Sequence, residues 1–86
     1  MEKGHYVYLV ECSDKSLYCG YSNDVEHRIA IHNAGKGAKY TRSRLPVRLV
    51  YWEEYVTKEE ALRREQSIKQ LSRQKMLELA GLSERQ

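Results

Sequence analysis

The chain has 86 residues, enough for one domain with its core at about residues 5–80 and too few for a second one. Two cysteines are too few for a disulfide scaffold or a four-cysteine zinc site, and no apolar run reaches the length of a membrane span. The net charge is a modest +3. The first residues lack the apolar segment of a signal peptide, so we expect a cytoplasmic protein with reduced thiols. We also expect a monomer without membrane association.

The first two predicted elements are strands that form a hairpin. Residues 5–12 and 17–21 are rich in Tyr, Val and Leu, and the Ser-Asp-Lys-Ser sequence between them has the composition of a turn. Side chains alternate between the two faces of a strand, so a register that places Tyr8 opposite Tyr18 puts both rings on one face. Cys12 then shares this face and Cys19 lies on the other, so we expect no disulfide between them.

A helix is predicted for residues 24–34, after a capping Asn-Asp pair and before the stop signal of Gly35. One helical arc of about 100° contains Val25, Arg28, Ile29 and His32. Arg28 and His32 therefore lie beside the apolar stripe and not on the opposite, solvated side. For either residue alone, a structural role at the edge of the core is the simpler interpretation.

The following segment, residues 35–45, is predicted to be a basic loop. No Asp or Glu occurs between positions 27 and 52, and the Lys and Arg residues there carry +6, whereas the rest of the chain sums to −3. Basic side chains with one aromatic ring suit phosphate contacts with optional base stacking, so we expect nucleic acid as the anionic partner. The candidate contact residues of the loop are Lys36, Lys39, Tyr40, Arg42 and Arg44. A merely solvated basic loop is the alternative.

The last predicted elements are a strand and two helices. Residues 47–56 are mostly β-branched or aromatic, a capping box at residues 57–60 begins a helix that extends to about residue 71, and residues 73–80 form a final turn or two before Gly81. Glu65 lies in the inward arc of the longer helix, between Ala61 and Ile68. Ionised carboxylates are rarely buried unless they are paired or bind a metal. Periodicity alone gives equal weight to a metal ligand and to a salt bridge with an inward Arg such as Arg28.

An ordered set of motifs extends over these elements. It consists of Tyr6-Val7-Tyr8, Tyr18-Cys19-Gly20, Arg28, His32, the stretch of residues 35–41, and Glu65 with Ile68-Lys69 after it. The set resembles the GIY-YIG nuclease superfamily, and in particular its short, stand-alone bacterial members, over about residues 6–75. The resemblance implies an α+β fold, with a three-stranded antiparallel sheet flanked by helices in the order β-β-α-β-α-α.

The resemblance also implies an activity, the metal-dependent hydrolysis of DNA phosphodiester bonds by an endonuclease. The substrate is DNA, with RNA as the second option, and a structure- or lesion-directed role in DNA repair or recombination is expected. Glu65 would bind one Mg²⁺ or Mn²⁺, and Lys69 would join the loop residues in binding nucleic acid. Arg28 would hold the scissile phosphate and offset the charge that develops there.

The remaining motif residues receive roles from the same resemblance. Tyr8 and Tyr18 would position and deprotonate the attacking water, or one of them would relay its proton. His32 would orient a tyrosine or the phosphate, and Gly20 would allow a close approach of the backbone.

The chain departs from the family pattern at several positions. Tyr6 and Val7 replace the Gly and Ile of the first motif, and Cys19 replaces the Ile of the second. Longer members use an Asn further along the chain, whereas both asparagines here, Asn23 and Asn33, lie near the first predicted helix.

The missing Asn and the lack of a separate DNA-binding domain favour a rival hypothesis, a non-catalytic nucleic-acid-binding or repair-accessory module on the same fold. A third possibility is a protein-interaction domain, for which Trp52 or Tyr55 would supply the contact.

Overall fold

The computed structural model describes residues 1–82; residues 83–86, at the end of the predicted domain, lie outside the described residues. Its elements are β1 (His5–Glu11), β2 (Leu17–Ser22), α1 (Val25–Asn33), α2 (Lys39–Arg42), β3 (Arg48–Tyr55), α3 (Lys58–Lys69) and α4 (Arg73–Leu79). Within residues 1–82 no helix combines the length and the apolar character needed to cross a membrane.

The three strands form an antiparallel sheet in the order β2-β1-β3, which confirms the predicted α+β fold. β1 is the central strand, so among the residues that the structure describes β2 lies at an edge of the sheet with one side unpaired. The element order differs from the prediction in one respect, because the single-turn helix α2 interrupts the segment predicted to be a loop. One turn of helix is too short to produce a periodic apolar pattern, so its sequence carries no helical signal.

The sheet separates two apolar clusters. One contains Tyr6, Tyr8, Val10 and Cys12 of the β1 segment with Val25 of α1 and Val47. The other contains Val7, Leu9 and Cys19 with Ala61 and Ile68 of α3. The helices α1 and α3 therefore pack against opposite faces of the sheet. Cys12 and Cys19 are both free thiols on opposite faces, as predicted.

The register of the β1–β2 hairpin differs by two residues from the one predicted. Tyr8 lies opposite Gly20, and Tyr18 lies opposite Val10. A slip of two residues keeps every side chain on the same face, so the two tyrosines still share one face. At the site, Tyr8 therefore lies across the hairpin from a glycine and not from a second aromatic ring.

Local hydrogen bonds fix the ends of the helices that carry the site. The side chain of Asp24 accepts from the backbone N–H of His27 at the start of α1. Thr57 and Glu60 form the predicted capping box of α3. The side-chain amide of Asn33 donates to the carbonyl of Val47 and accepts from its N–H, which ties the end of α1 to the segment entering β3.

Candidate functional site

A cleft of about 360 Å³ lies at the β2 edge of the sheet, where α1 from one face and α3 from the other come together. Its walls are formed by Tyr8, Tyr18, Gly20, Tyr21, Arg28, His32, Lys36, Gly37, Ala38 and Glu65. Elements distant in sequence therefore bring the tyrosines, the cations and the carboxylate of the motif set into one concave surface.

A hydrogen-bonded chain of three buried side chains forms the floor of this cleft. The hydroxyl of Tyr8 lies 2.8 Å from Nε2 of His32, and Nδ1 of His32 lies 3.0 Å from the hydroxyl oxygen of Thr41. The Thr41 hydroxyl donates its single proton to the carbonyl of Ala38 at 2.9 Å. It can therefore only accept from His32, so Nδ1 carries the proton and Nε2 accepts from the phenol of Tyr8.

Burial sets the protonation state of this chain. It lowers the pKa of His32, and the neighbouring charge of Arg28 lowers that pKa further. Burial likewise raises the pKa of the Tyr8 phenol, with Tyr18 adding to the increase and Arg28 opposing it. At neutral pH the pair is therefore a neutral imidazole that accepts a hydrogen bond from a neutral phenol.

Two glycines leave room for these side chains. A Cβ atom at Gly20 would lie 2.5 Å from the hydroxyl oxygen of Tyr8. A Cβ atom at Gly37 would overlap Nδ1 of His32. The Gly20 position of the second motif thus serves packing against the Tyr8 phenol, and Gly37 allows the loop after α1 to close over the imidazole.

The second motif tyrosine, Tyr18, is held by aromatic neighbours. Its ring meets the ring of His32 edge to face, with centroids 5.5 Å apart, and stacks on the ring of Tyr40 at 5.9 Å. The guanidinium of Arg44 lies 4.0 Å from the centroid of the Tyr40 ring and forms an ion pair with Asp14 at 3.1 Å. Tyr40 and Arg44 thus have partners within the chain and brace Tyr18 from outside the cleft.

The remaining predicted cations differ in their surroundings. Arg28 and Lys36 line the cleft, are exposed, and make no ion pair or side-chain hydrogen bond within residues 1–82. Lys39 and Arg42 are exposed outside the cleft on α2, where Arg42 donates to the carbonyl of Gly37 at 3.4 Å. Two cations are thus available inside the cleft and two more on its basic rim.

Glu65 faces the cleft from α3, as its helical position predicted, and its side chain is 12% exposed. Its carboxylate pairs with Lys69 at 3.1 Å, one turn further along α3, and not with Arg28. The predicted alternative of a Glu65–Arg28 bridge is therefore not formed. Residues four apart on a helix are neighbours, whereas Arg28 points into the open cleft. The hydrogen bond to Glu65 raises the pKa of Lys69.

A second carboxylate fixes α3 relative to the sheet. Glu53 of β3 accepts hydrogen bonds from Nε and Nη2 of Arg64, at 2.9 and 3.1 Å, and from the hydroxyls of Tyr51 and Tyr55. Burial opposes ionisation of Glu53, but these hydrogen bonds prevail and its pKa is lowered. Because Arg64 precedes Glu65 in α3, this cluster anchors to the sheet the helix that carries Glu65.

The metal-ligating side chains in the cleft wall limit which metal ion the cleft can hold. Within residues 1–82 no three His, Cys, Asp or Glu side chains cluster, and Glu65 is the one acidic residue in the cleft wall. A closed zinc or calcium cage is therefore absent from this part of the chain. Mg²⁺ and Mn²⁺ prefer oxygen ligands, and Mg²⁺ is commonly held by one or two carboxylates, substrate phosphates and water, which this donor set fits.

Sequence reasoning missed several residues of the cleft. Thr41 is fully buried and hydrogen-bonded to His32, whereas the sequence showed it only as part of the basic loop and of the motif stretch 35–41. Tyr21 lines the cleft and its hydroxyl is hydrogen-bonded to His5, although it stands outside the motif triplets. Thr41 stands between Tyr40 and Arg42, so its immediate neighbours gave no signal for a buried hydroxyl.

Comparison with known proteins places these features in a family. The family model described as the GIY-YIG catalytic domain matches residues 4–78. A UPF0213 protein of Staphylococcus haemolyticus is 61% identical over 75 residues, which are 87% of this chain and 92% of that protein. A UPF0213 protein of Haloquadratum walsbyi is 58% identical over 80 residues, which are 93% of this chain and 90% of that protein.

Two solved structures agree with this assignment. A solution NMR structure of a UPF0213 protein from Bacillus halodurans is 53% identical, with a TM-score of 0.58 over 90% of this chain and 82% of that one. Another, of a protein from E. faecalis, is 40% identical, with a TM-score of 0.61 over 100% of this chain and 97% of that one. The match of motif, sequence and fold extends over almost the whole chain, which therefore belongs to the GIY-YIG nuclease domain family, alongside the short UPF0213 proteins.

Proposed function

We propose that this protein is a divalent-metal-dependent endonuclease that hydrolyses phosphodiester bonds of DNA, in the context of repair or recombination. The observation that carries the proposal is the cleft at the edge of β2. Among residues 1–82 it combines a buried phenol–imidazole pair, two cations with no ion pair and one carboxylate. These are the groups that phosphodiester hydrolysis needs for proton transfer, phosphate binding and metal binding.

In the proposed mechanism Tyr8 relays a proton. Its phenol has a raised pKa and stays protonated at neutral pH, so a free phenolate is not the base. The Tyr8 oxygen takes a proton from the attacking water while its own proton passes to Nε2 of His32, which is neutral and already accepts that hydrogen bond. Thr41 keeps Nε2 unprotonated before the transfer and stabilises the imidazolium after it, by accepting from Nδ1.

The phosphate is bound by the two available cations. Arg28 and Lys36 approach the cleft from α1 and from the loop after it, and neither is neutralised by a carboxylate within residues 1–82. The guanidinium of Arg28 binds phosphate oxygens in a bidentate manner and offsets the charge that develops on them, and Lys36 adds a point charge. Tyr18, held between His32 and Tyr40, positions the attacking water from the other wall of the cleft.

Glu65 is the proposed ligand of one Mg²⁺ or Mn²⁺. When bound, such an ion supplies Lewis-acid stabilisation of the phosphate and of the leaving oxygen. In the free protein the ammonium of Lys69 already pairs with the Glu65 carboxylate at 3.1 Å.

The test is a cleavage assay on nicked, flapped, single-stranded and duplex DNA, and on RNA of the same sequence, with and without Mg²⁺ or Mn²⁺. We expect metal-dependent cleavage by the wild-type protein, and a loss of roughly 100-fold or more in Tyr8→Phe and His32→Gln. Glu59→Gln, an exposed position on the same helix as Glu65, serves as the matched control. Cleavage that persists unchanged in both Tyr8→Phe and Glu65→Gln would contradict the assigned site.

A second candidate function is nucleic-acid binding without catalysis. The Glu65–Lys69 ion pair favours it, because the one carboxylate of the cleft already has a cationic partner. Salt-dependent binding of every substrate in the panel, with no cleavage under any metal, would support this candidate over the first.

A further inference from the structure

A groove continues from the cleft along the unpaired side of β2. It consists of two adjoining hollows of about 250 and 290 Å³, which share Leu17, Tyr40 and Met76 as walls. Tyr18 belongs both to the cleft and to the nearer hollow, so the groove begins where the proposed reaction takes place.

Both hollows have apolar walls and a cation. Lys69 lines the nearer hollow and Arg73 the further one. Tyr40 is 39% exposed, although its ring is fixed by Tyr18 and by the guanidinium of Arg44. The groove is therefore a preformed apolar slot with two basic side chains along it, and apart from Tyr18 its lining residues lie outside the cleft wall.

We propose that this groove receives the base of an unpaired nucleotide adjacent to the phosphate bound in the cleft. The proposal rests on the proposed nuclease function and specifies its substrate, a single-stranded segment such as a flap, an overhang or an open junction. Leu17, Met76 and the exposed edge of Tyr40 would cover the base. Lys69, which also pairs with Glu65, and Arg73, which also donates to the carbonyl of Lys15, would lie towards the phosphates on either side of it.

A base in an intact duplex does not fit this arrangement. Its faces are covered by the neighbouring base pairs and its edge is engaged in pairing, so entry into a slot requires unstacking. An unpaired base meets much less of this cost, and apolar or aromatic contacts to its face are favourable for any base. The groove therefore selects for strand structure and not for sequence.

An extended peptide added to the free edge of β2 is the competing occupant, since an edge strand has unpaired backbone groups. Charge favours the nucleotide, because the groove is continuous with the cleft that holds Arg28 and Lys36, which make no ion pair within residues 1–82.

The first test records methyl NMR spectra of the wild-type protein in the absence of divalent metal. We expect tetrathymidylate to shift the methyl signals of Leu17 and Met76, and inorganic phosphate at the same phosphate concentration to leave them in place. Equal shifts with both ligands, or none with the oligonucleotide, would overturn the proposal. A response to an apolar β-strand peptide in place of the oligonucleotide would assign the groove to a protein partner and also overturn it.

The second test compares the affinity for a duplex with a single-stranded overhang with the affinity for the same duplex with blunt ends. We expect the overhang preference to fall about tenfold in Met76→Ala and to be retained in Met76→Leu, which keeps the apolar wall. An equal loss of affinity for both duplexes, or no loss for either, would contradict the binding of an unpaired base in the groove. If Met76→Ala does not fold, the wild-type NMR arm still decides.

These measurements separate the groove from the nuclease proposal because neither requires metal or cleavage. A protein that binds overhangs through the groove but cuts nothing would retain the groove and lose the nuclease function. One that cuts duplex DNA with no response at Leu17 and Met76 would retain the nuclease and lose the groove.

Discussion

Thr41 determines which nitrogen of His32 carries a proton. The hydroxyl of Thr41 gives its proton to the carbonyl of Ala38, so it can only accept from Nδ1 of the imidazole. Nε2 is left as the acceptor of the Tyr8 phenol, 2.8 Å away. A buried threonine in the basic segment thus sets the direction of the hydrogen bond at the floor of the cleft.

The first prediction concerns Thr41→Val, which keeps the shape of the side chain and removes its hydroxyl. The buried Nδ1–H then has no acceptor, so we expect the free energy of unfolding to fall by about 1–3 kcal/mol. The imidazole proton should move towards Nε2, and cleavage should fall by roughly 100-fold. Long-range ¹H–¹⁵N NMR correlations report the tautomer. Thr41→Ser restores the hydroxyl and should retain the wild-type tautomer; a wild-type tautomer in Thr41→Val would contradict the assignment.

The second prediction concerns pH. The pKa of His32 is lowered below 6.5 by burial and then by Arg28, so the unfolded chain binds a proton at a higher pH than the folded protein does. The stability contributed by neutral His32 is therefore complete above about pH 6.5 and declines as the pH falls through the folded pKa. Cleavage should decline only as the pH approaches the lowered pKa of folded His32, because protonated His32 cannot accept from Tyr8.

Urea unfolding at pH values from 7.5 to about 4.5 tests this sign. The difference between wild type and His32→Gln should narrow as the pH falls, whereas His27→Gln, at an exposed position of α1, should follow the wild-type curve. A difference that widens with acidification would mean that burial does not dominate the pKa of His32.

The third prediction concerns the cluster that anchors α3. Arg64→Leu removes two hydrogen bonds from the Glu53 carboxylate, which is only 17% exposed. We expect a loss of about 1–3 kcal/mol in the free energy of unfolding, by thermal or urea denaturation, because a partly buried carboxylate loses its cation. Arg63→Leu, at the exposed neighbouring position, should change stability by less than about 0.5 kcal/mol. Equal effects of the two substitutions would argue against an anchoring role.

Much of the fold follows from local signals in the sequence. The Tyr, Val and Leu content of residues 5–12, the capping box at Thr57 and the glycines at positions 35 and 81 are signals within a few residues, and all give the elements observed. Helical periodicity is also a signal within a few residues, and it correctly predicts that Glu65 faces inward, towards the cleft.

What the sequence could not provide depends on contacts between distant segments. The hairpin register was off by two residues because alternation fixes the face of a strand and not its partner. The ring of Tyr40 and the guanidinium of Arg44 were expected to face a ligand as part of a basic loop. In the folded chain they also contact Tyr18 and Asp14, which precede them by more than 20 residues, while Tyr40 stays partly exposed in the wall of the groove.

The fourth prediction concerns the basic surface. If Lys36, Lys39 and Arg42 contact phosphates, their replacement by Ala should weaken binding to all sequences alike, and each lost contact should reduce the salt slope by about 0.9. Lys36→Ala should in addition slow cleavage, because Lys36 alone of these lies in the cleft wall. Arg63→Ala is the control, because Arg63 is an exposed cation of α3 that does not line the cleft. A salt slope that changes in Arg63→Ala and not in the triple variant would move the nucleic-acid surface to α3.

The last prediction separates a metal ligand from a structural carboxylate at position 65. Glu65 forms a partly exposed ion pair with Lys69, and pairs of this kind contribute about 0.3–0.5 kcal/mol. We therefore expect Glu65→Gln to leave thermal stability nearly unchanged, whereas a buried bridge to an arginine would have made the same substitution cost roughly 3–5 kcal/mol. In the wild-type protein, Mn²⁺ should broaden the NMR signals of Tyr8, Tyr18 and Arg28, which share the cleft with Glu65. This broadening should vanish in Glu65→Gln and persist in Glu59→Gln. Broadening that survives in Glu65→Gln would show that the ion binds elsewhere, and a large loss of stability would show that the carboxylate is structural.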